Sequence, residues 1–362
     1  MNVLVILVVL VALFLLANLL LDKFALKGLK CTRAFSRPAF FEGEEGEMIE
    51  IVRNDRPMIV PWLRVESYIS PHLQLGNQDN LHVADSMYYC SLFSLMPYQQ
   101  VKRRHRVRFI HRGAFDLGNA SLTAGDLLGL NQSTREQAMS VHVLVYPRLL
   151  DERDLPEPLS RLLGETIARR HLLTDPFLVR GIRPYLPGDP VRDIHWPATA
   201  RMGDTMLRVH DHTAQTRLLV VMNAQRTVNQ WGDRLMDYEE GEMEQMISVA
   251  ATLCVRALRA GLPAGFAANM PLDKGEDSVM LLPSGGSARE EELLTAFARL
   301  TLRRTLRFPT FLESLTSLSG MDVLVLSCYD SEEIQSALSK LRRAGNNVQL
   351  HVMYGKEAQK TC

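Results

Sequence analysis

Residues Arg180 to Arg201 read RGIRPYLPGDPVRDIHWPATAR, and this stretch divides the chain into halves of different periodicity. A turn-forming Tyr185-Leu186-Pro187-Gly188-Asp189 sits within a run of alternating charges. Trp196 and a small-residue segment ending in Arg201 follow. The string reads as a fixed loop whose ionic groups hold two parts of a protein, or a protein and a partner, in register. Ahead of it, from about Lys30 to Tyr146, the pattern is strand-like. Glu47 to Val52 alternates, Asn54-Asp55-Arg56-Pro57 reads as a turn, Ile59 to Ile69 is rich in β-formers, and Val101 to Ile110 alternates again. Val141 to Val145 is a last β-branched run before Pro147. A charged connector from Asp151 to Arg170 carries one helix, Leu159 to Arg170.

Beyond the loop, strands and helices alternate. Leu218 to Met222 fits a strand buried on both faces. Glu244 to Ala260 has apolar residues at helical spacing and ends at Gly261. Strands are predicted at Gly265–Asn269, Val279–Leu282, Val323–Ser327 and Val348–Met353. Helices are predicted at Arg289–Leu302 and Ser331–Ala344, the latter opened by Ser331 with Glu332 and Glu333 in its first turn. This alternation implies a doubly wound α/β sheet.

The 362 residues have room for two or three domains, and 46% hydrophobic with 23% charged residues is ordinary globular composition. Forty-one basic against 41 acidic side chains argue against nucleic acid as a partner. The five cysteines, Cys31, Cys90, Cys254, Cys328 and Cys362, show no CxxC spacing and suit a reducing compartment. Val3 to Leu21 is apolar except for Asn18, about the length that crosses a hydrocarbon core of roughly 30 Å. Positive charge follows it at Lys23, Lys27, Lys30, Arg33 and Arg37, which predicts a single-pass protein of the cell membrane with its soluble domains in the cytoplasm. The expected divisions are a transmembrane helix over 1–22, a β-rich sandwich-like domain over 30–150, a connector with the loop over 151–216, and an α/β domain over 217–356.

Three passages resemble the bacterial family called domain of unknown function 58: His111 to Gly118 with Gly125 to Leu130, Val145-Tyr146-Pro147, and Arg183 to Arg201. The resemblance implies a membrane-anchored protein with a β-rich segment ahead of a von Willebrand factor A-like domain. It further implies a MoxR-type AAA+ ATPase and other membrane proteins as partners, and a role in complex assembly. The expected fold class is thus an α/β von Willebrand factor A-like doubly wound sheet, preceded by a β-sandwich-like domain and one N-terminal transmembrane helix.

Type A domains hold Mg²⁺ with Asp-x-Ser-x-Ser at the end of the first strand. Here the corresponding positions are Asn223, Gln225 and Thr227. An amide brings no negative charge, so the site is degenerate and no metal or other cofactor is expected. Mg²⁺ binding through Asn223, Thr227 and Asp330 is the alternative.

The loop residues Arg183, Tyr185, Asp189, Arg192, Asp193, Trp196 and Arg201 admit two readings. One is an ion-pair network that docks the loop on the sheet, with Trp196 as a buried anchor. The other is a partner-binding surface of arginine forks. The strand Lys102 to Arg108 places Arg104, Arg106 and Arg108 on one face and Val107 and Phe109 on the other, as a half-buried strand or an attractor of anionic lipid. His210-Asp211-His212 puts two imidazoles on one strand face without a third ligand nearby. Cys254 and Cys328 lie in apolar surroundings and read as core rather than as nucleophiles. Pro283-Ser284-Gly285-Gly286-Ser287 lacks the lysine of a phosphate loop. No base–nucleophile constellation is present. The expected function is a non-enzymatic, membrane-anchored adaptor or scaffold working with the ATPase, and the alternative is a divalent-metal-dependent protein-binding module.

Overall fold

The described residues of 29–146 form twelve strands, and in the long ones, such as Leu29–Phe35 and Gln100–Phe109, buried or half-buried side chains alternate with exposed ones at a period of two. The strands are β1 (Leu29–Phe35), β2 (Ala39–Phe41), β3 (Glu45–Asn54), β4 (Val60–Tyr68), β5 (Leu73–Leu75), β6 (Leu81–Ala84), β7 (Tyr88–Leu95), β8 (Gln100–Phe109), β9 (Gly113–Leu117), β10 (Ala120–Gly125), β11 (Gln132–Gln137) and β12 (Val141–Tyr146). The computed structural model describes residues 5–10, 26–76, 81–84, 88–125, 132–172, 174–186, 189–212, 217–228, 237–275 and 277–353. It divides into two compact units, residues 1–148 and 149–362.

In the first unit, sheets ordered β1-β3-β8-β5 and β11-β10-β4-β7-β6 enclose one core, with a smaller sheet β2-β12-β9 closing it. Phe40 stacks on Phe109 with ring centroids 4.2 Å apart. The turn after β3 is held by the buried Asn54, whose amide nitrogen donates to Met58 O (2.8 Å) and Met96 O (2.9 Å).

A charged cluster interrupts this apolar interior. Arg33 of β1 lies opposite Glu50 of β3, and both side chains are fully buried. Arg33 Nε donates to Glu50 Oε1 (2.8 Å), and its Nη1 donates to Ser67 Oγ of β4 (2.5 Å). The Tyr89 hydroxyl of β7 donates to Glu50 Oε2 (2.7 Å) and lies 3.1 Å from His105 Nε2 of β8. The cluster therefore ties one large sheet to the other. Burial pushes the Glu50 carboxyl up, but His105, the charge of Arg33 and the Tyr89 hydroxyl outweigh it, and the net direction is downward.

The second unit contains α1 (Glu157–Leu172), β13 (Thr174–Pro184), α2 (Trp196–Met202), β14 (Met206–His212), β15 (Leu218–Met222), α3 (Asp237–Arg259), β16 (Ala264–Ala268), β17 (Val279–Ser284), α4 (Ser287–Arg299), α5 (Phe308–Ser314), β18 (Asp322–Ser327), α6 (Glu332–Arg343) and β19 (Asn347–Val352). Its main sheet has the order β17-β16-β15-β18-β19. Both faces are covered: Leu218, Val220 and Met222 join a core with α1, α3 and α4, while Leu219 and Val221 join one with α5 and α6. Gly265 is required where β16 meets β17, because a Cβ there would collide with the carbonyl oxygen of Leu281. Ser331 caps α6 as the sequence predicts, its hydroxyl accepting from Ile334 N at 3.3 Å.

The expected fold class, a von Willebrand factor A-like doubly wound sheet behind a sandwich and one transmembrane helix, is corrected. Strands β1 to β12 make the molecule predominantly a β-sandwich-like protein. No helix among the described residues is long and apolar enough to cross a membrane. Residues 5–10 are helical, and the rest of the predicted span at 1–22 lies outside the described residues. The sheet of the second unit is mixed, since β17 runs antiparallel to β16. Residues 269–278 are too few for a helical crossover, which needs about a dozen or more, so the chain returns as a hairpin.

The buried cluster sets a stability prediction. Glu50→Ala strands the Arg33 guanidinium in the core and costs about 3–5 kcal/mol in urea unfolding of the first unit. The double variant Arg33→Met with Glu50→Leu recovers most of that loss.

Candidate functional site

The stretch that divides the sequence folds into an arm. Strands β13 and β14 pair antiparallel, with Arg183 opposite Leu207 and Pro184 opposite Met206, and the signature residues fill the connection between them. Leaving β13, Tyr185 N donates to Thr205 O at 2.8 Å. Asp189 then closes a tight turn. It accepts both terminal nitrogens of Arg183 (2.7 and 2.8 Å) and the Leu186 backbone N–H (2.9 Å). The Tyr185 hydroxyl reaches Asp189 O at 3.2 Å. Hydrogen bonding from Arg183 holds the Asp189 carboxyl below the usual carboxylate range, and the same pairing raises Arg183. Pro187 and Gly188, part of the predicted turn, lie outside the described residues.

A short 3-10 turn, Val191–Asp193, leads to Ile194, which is 8% exposed and bridges to Leu207 of β14. His195 N donates to Met206 O (2.7 Å), and His195 Nδ1 caps α2 by accepting from Ala198 N (3.0 Å). That bond requires Nδ1 to be unprotonated, so the neutral ring carries its proton on Nε2. Thr199 Oγ1 donates to His195 O (3.1 Å) and accepts from Met206 N (3.0 Å), tying α2 to β14. Gly203, at φ 80°, ends the helix in the left-handed conformation that favours glycine.

The candidate residues thus divide by task. Arg183, Tyr185 and Asp189 build the turn. Arg192, Trp196 and Arg201 project from it: Trp196 is 65% exposed, the Arg192 side chain is 86% exposed, and Arg201 is exposed. Asp193 is partly buried and lies 3.8 Å from Arg192 Nε, a weak pairing in water. The expectation that Trp196 anchors the loop in the core is therefore wrong. Ile194 takes that place, because it meets Leu207 in extended conformation before the helix begins. Leu186, Val191 and Met202 of the same arm are also exposed. His195, Ile194 and Thr199 carry structural duties that the sequence reading did not assign. Their signal was Pro197 just after a capping-competent residue, the mark of a helix start.

The degenerate metal positions form a closed amide network. Asn223 is fully buried, its Nδ2 donating to Ser327 Oγ (3.0 Å) and its Oδ1 accepting from Gln225 N (2.9 Å). Gln225 Oε1 accepts from Phe308 N (2.8 Å) at the start of α5. Thr227 is exposed, and Asp330 is exposed and accepts from Gln335 Nε2 at 2.8 Å. Among the described residues no group of three or more His, Cys, Asp or Glu side chains could hold an ion. The side chains of His210 and His212 in β14 lie outside the described residues.

Burial pushes the Cys254 thiol up to about 12 and Cys328 up to about 11, so both stay protonated near neutrality.

The family model described as "Protein of unknown function DUF58" matches residues 181–298, which begin at the arm and run through α4. This match supports the resemblance to that family. No curated protein matches the chain. Similar solved structures include a CARDB domain from Pyrococcus furiosus (16% identity, TM-score 0.19), covering 32% of this chain and 96% of that one. A non-cellulosomal cohesin from Archaeoglobus fulgidus (9%, TM-score 0.23) covers 32% of this chain and 91% of that one. A type I cohesin from Pseudobacteroides cellulosolvens (10%, TM-score 0.22) covers 34% and 96%. Each likeness is thus confined to about a third of the chain.

Two outcomes follow from this geometry. Asp189→Ala frees the Leu186 amide, so hydrogen exchange there speeds up in the variant. In the wild type its protection, the ratio of the intrinsic to the observed rate, is lost as pH falls through the depressed Asp189 titration, because the carboxylate contributes above its unfolded value and is lost in acid. Asn223→Ala leaves the buried Gln225 amide without its acceptor, removes the Asn223 bond to Ser327, and costs about 1–3 kcal/mol of thermal stability in the second unit.

Proposed function

We propose that the chain is a non-enzymatic, membrane-associated adaptor that grips a protein partner through the outward face of the signature arm. The observation that carries this reading is the split within the arm. A dense hydrogen-bonded frame carries Trp196, Arg192, Arg201, Leu186 and Met202, whose side chains stand largely exposed to solvent. Aromatic, Met and Arg side chains set on a rigid support are the composition of protein-interface hot spots. Exposing such a cluster costs solvation free energy that a partner recovers on binding. The resemblance nominates a MoxR-type AAA+ ATPase, together with other membrane proteins, as the partner class.

Capture from detergent-solubilised membranes tests it. Trp196→Ala and the pair Arg192→Ala with Arg201→Ala touch no bond of the frame, so the folded fraction and melting temperature are expected to stay at wild-type values. Recovery of a bound ATPase is expected to fall at least tenfold, the effect of losing one hot-spot side chain of about 1.4 kcal/mol or more. Unchanged recovery in both variants overturns the proposal.

A further inference from the structure

We propose that the outer face of the β1-β3-β8-β5 sheet is a docking surface for anionic phospholipid headgroups. This goes beyond the adaptor role and does not depend on it. The register of the sheet brings the observation together. On β8, Lys102, Arg104, Arg106 and Arg108 all point outward, while Val107 and Phe109 are buried. Alternate residues of a strand are about 7 Å apart, so the row extends for about 20 Å. The neighbouring strands add Lys30 beside Arg53, both more than half exposed. Six cations thus share one sheet face with three carboxylates: Glu45 and Glu47 at one end and Asp55 at the other.

Among the described residues, the opposite outer face of the sandwich carries no such excess. There Arg64 pairs with Glu66 at 3.0 Å, and the exposed side chains include Tyr68 and Leu92. The charge is therefore one-sided in a chain whose formal net charge is zero.

The occupant is argued from charge and shape. Nucleic-acid surfaces interleave cations with aromatic rings for stacking. Here the residues between the charged rows are Thr32, Ala34, Ile49 and Ile51, and none of the outward positions on these strands is aromatic. An acidic protein would need its own carboxylates in register. Lipid headgroups diffuse laterally and need none, so a row of long cationic side chains suits them. The sequence agrees: the apolar run Val3–Leu21 ends seven residues before Leu29, and Lys23 and Lys27 lie between. Those intervening residues reach at most about 25 Å.

The test measures partition of the full chain onto phosphatidylcholine vesicles and onto vesicles containing phosphatidylserine. Any contribution of the apolar N-terminal run is common to both, so the ratio of the two isolates the charged face. The ratio is expected to be large at about 50 mM salt and to collapse towards one at about 500 mM. The triple variant Arg104→Gln, Arg106→Gln, Arg108→Gln is expected to lower it about a hundredfold, at about fivefold per cation. The matching triple Lys variant is expected to keep it, which guards against a glutamine variant that fails to fold. A wild-type ratio near one, a folded glutamine variant that retains the ratio, or a lysine variant that loses it overturns the proposal. So does a DNA duplex that binds the wild type in preference to the phosphatidylserine vesicles and is lost with the same glutamines.

Discussion

Four hydrogen bonds converge on the turn that Asp189 closes, and the outward face of the arm depends on them. The fork from Arg183 fixes the carboxylate in two directions, Leu186 N–H fills a third, and the Tyr185 hydroxyl reaches over to the carbonyl. An exposed ion pair alone contributes only about 0–1 kcal/mol. A bidentate pair that also satisfies a backbone donor acts instead on geometry, fixing Arg183, Leu186 and Asp189 relative to one another. With those residues fixed, the 3-10 turn, the Ile194 bridge and the His195 cap follow in fixed order, and α2 starts where it does. A floppy loop bearing Leu186, Val191, Trp196 and Met202 would fold those side chains onto itself. The frame is what keeps them in water.

Much of this architecture is legible in the sequence. In the first unit, alternation located β3 and β8, and runs of β-forming residues located β4 and β12, because each has one face in the core. The buried charged cluster was legible too, though unread: Arg33 is in phase with Cys31, Glu50 with Met48 and Val52, and His105 with Val107 and Phe109. A charge in phase with core residues must find a partner inside, and these find one another. In the second unit the strands of the main sheet and the long helices were found by length and period, whereas β13 was read as connector and loop. Helix α5 was missed because it is only seven residues, although Pro309 in its first turn marks its start.

Other features were not legible, for identifiable reasons. Size and apolarity argue for burying a tryptophan, but the start of a helix decides which way Trp196 faces, and that depends on bonds made to β14 far along the chain. The direction of β17 depends on how many residues separate it from β16, a matter of chain length rather than of residue type. At the strand ends, Asn223 and Gln225 occupy the positions an ion site would use, yet Asn223 spends its donor on Ser327 and its acceptor on the adjacent backbone, and the Gln225 oxygen accepts from α5. Neutral groups with complementary ends can satisfy each other without a cation, which carboxylates in the same places cannot do. The same substitution that removes the charge therefore supplies the cross-link between β15, β18 and α5.

A formal net charge of zero conceals how that charge is arranged. Screening in physiological salt confines an exposed charge to about 8 Å, close to the spacing of alternate side chains along β8. What a partner meets is therefore the local row, not the sum over the chain. A balance of 41 against 41 excludes long-range attraction but leaves one face of the sandwich basic and, among the described residues, the other nearly neutral. The two candidate surfaces differ in the same physical terms. The arm presents a few desolvatable side chains on a rigid frame, which rewards shape. The sheet presents many solvated cations on long stems, which rewards charge density and tolerates disorder in its partner. Surfaces so unlike do not compete for one ligand.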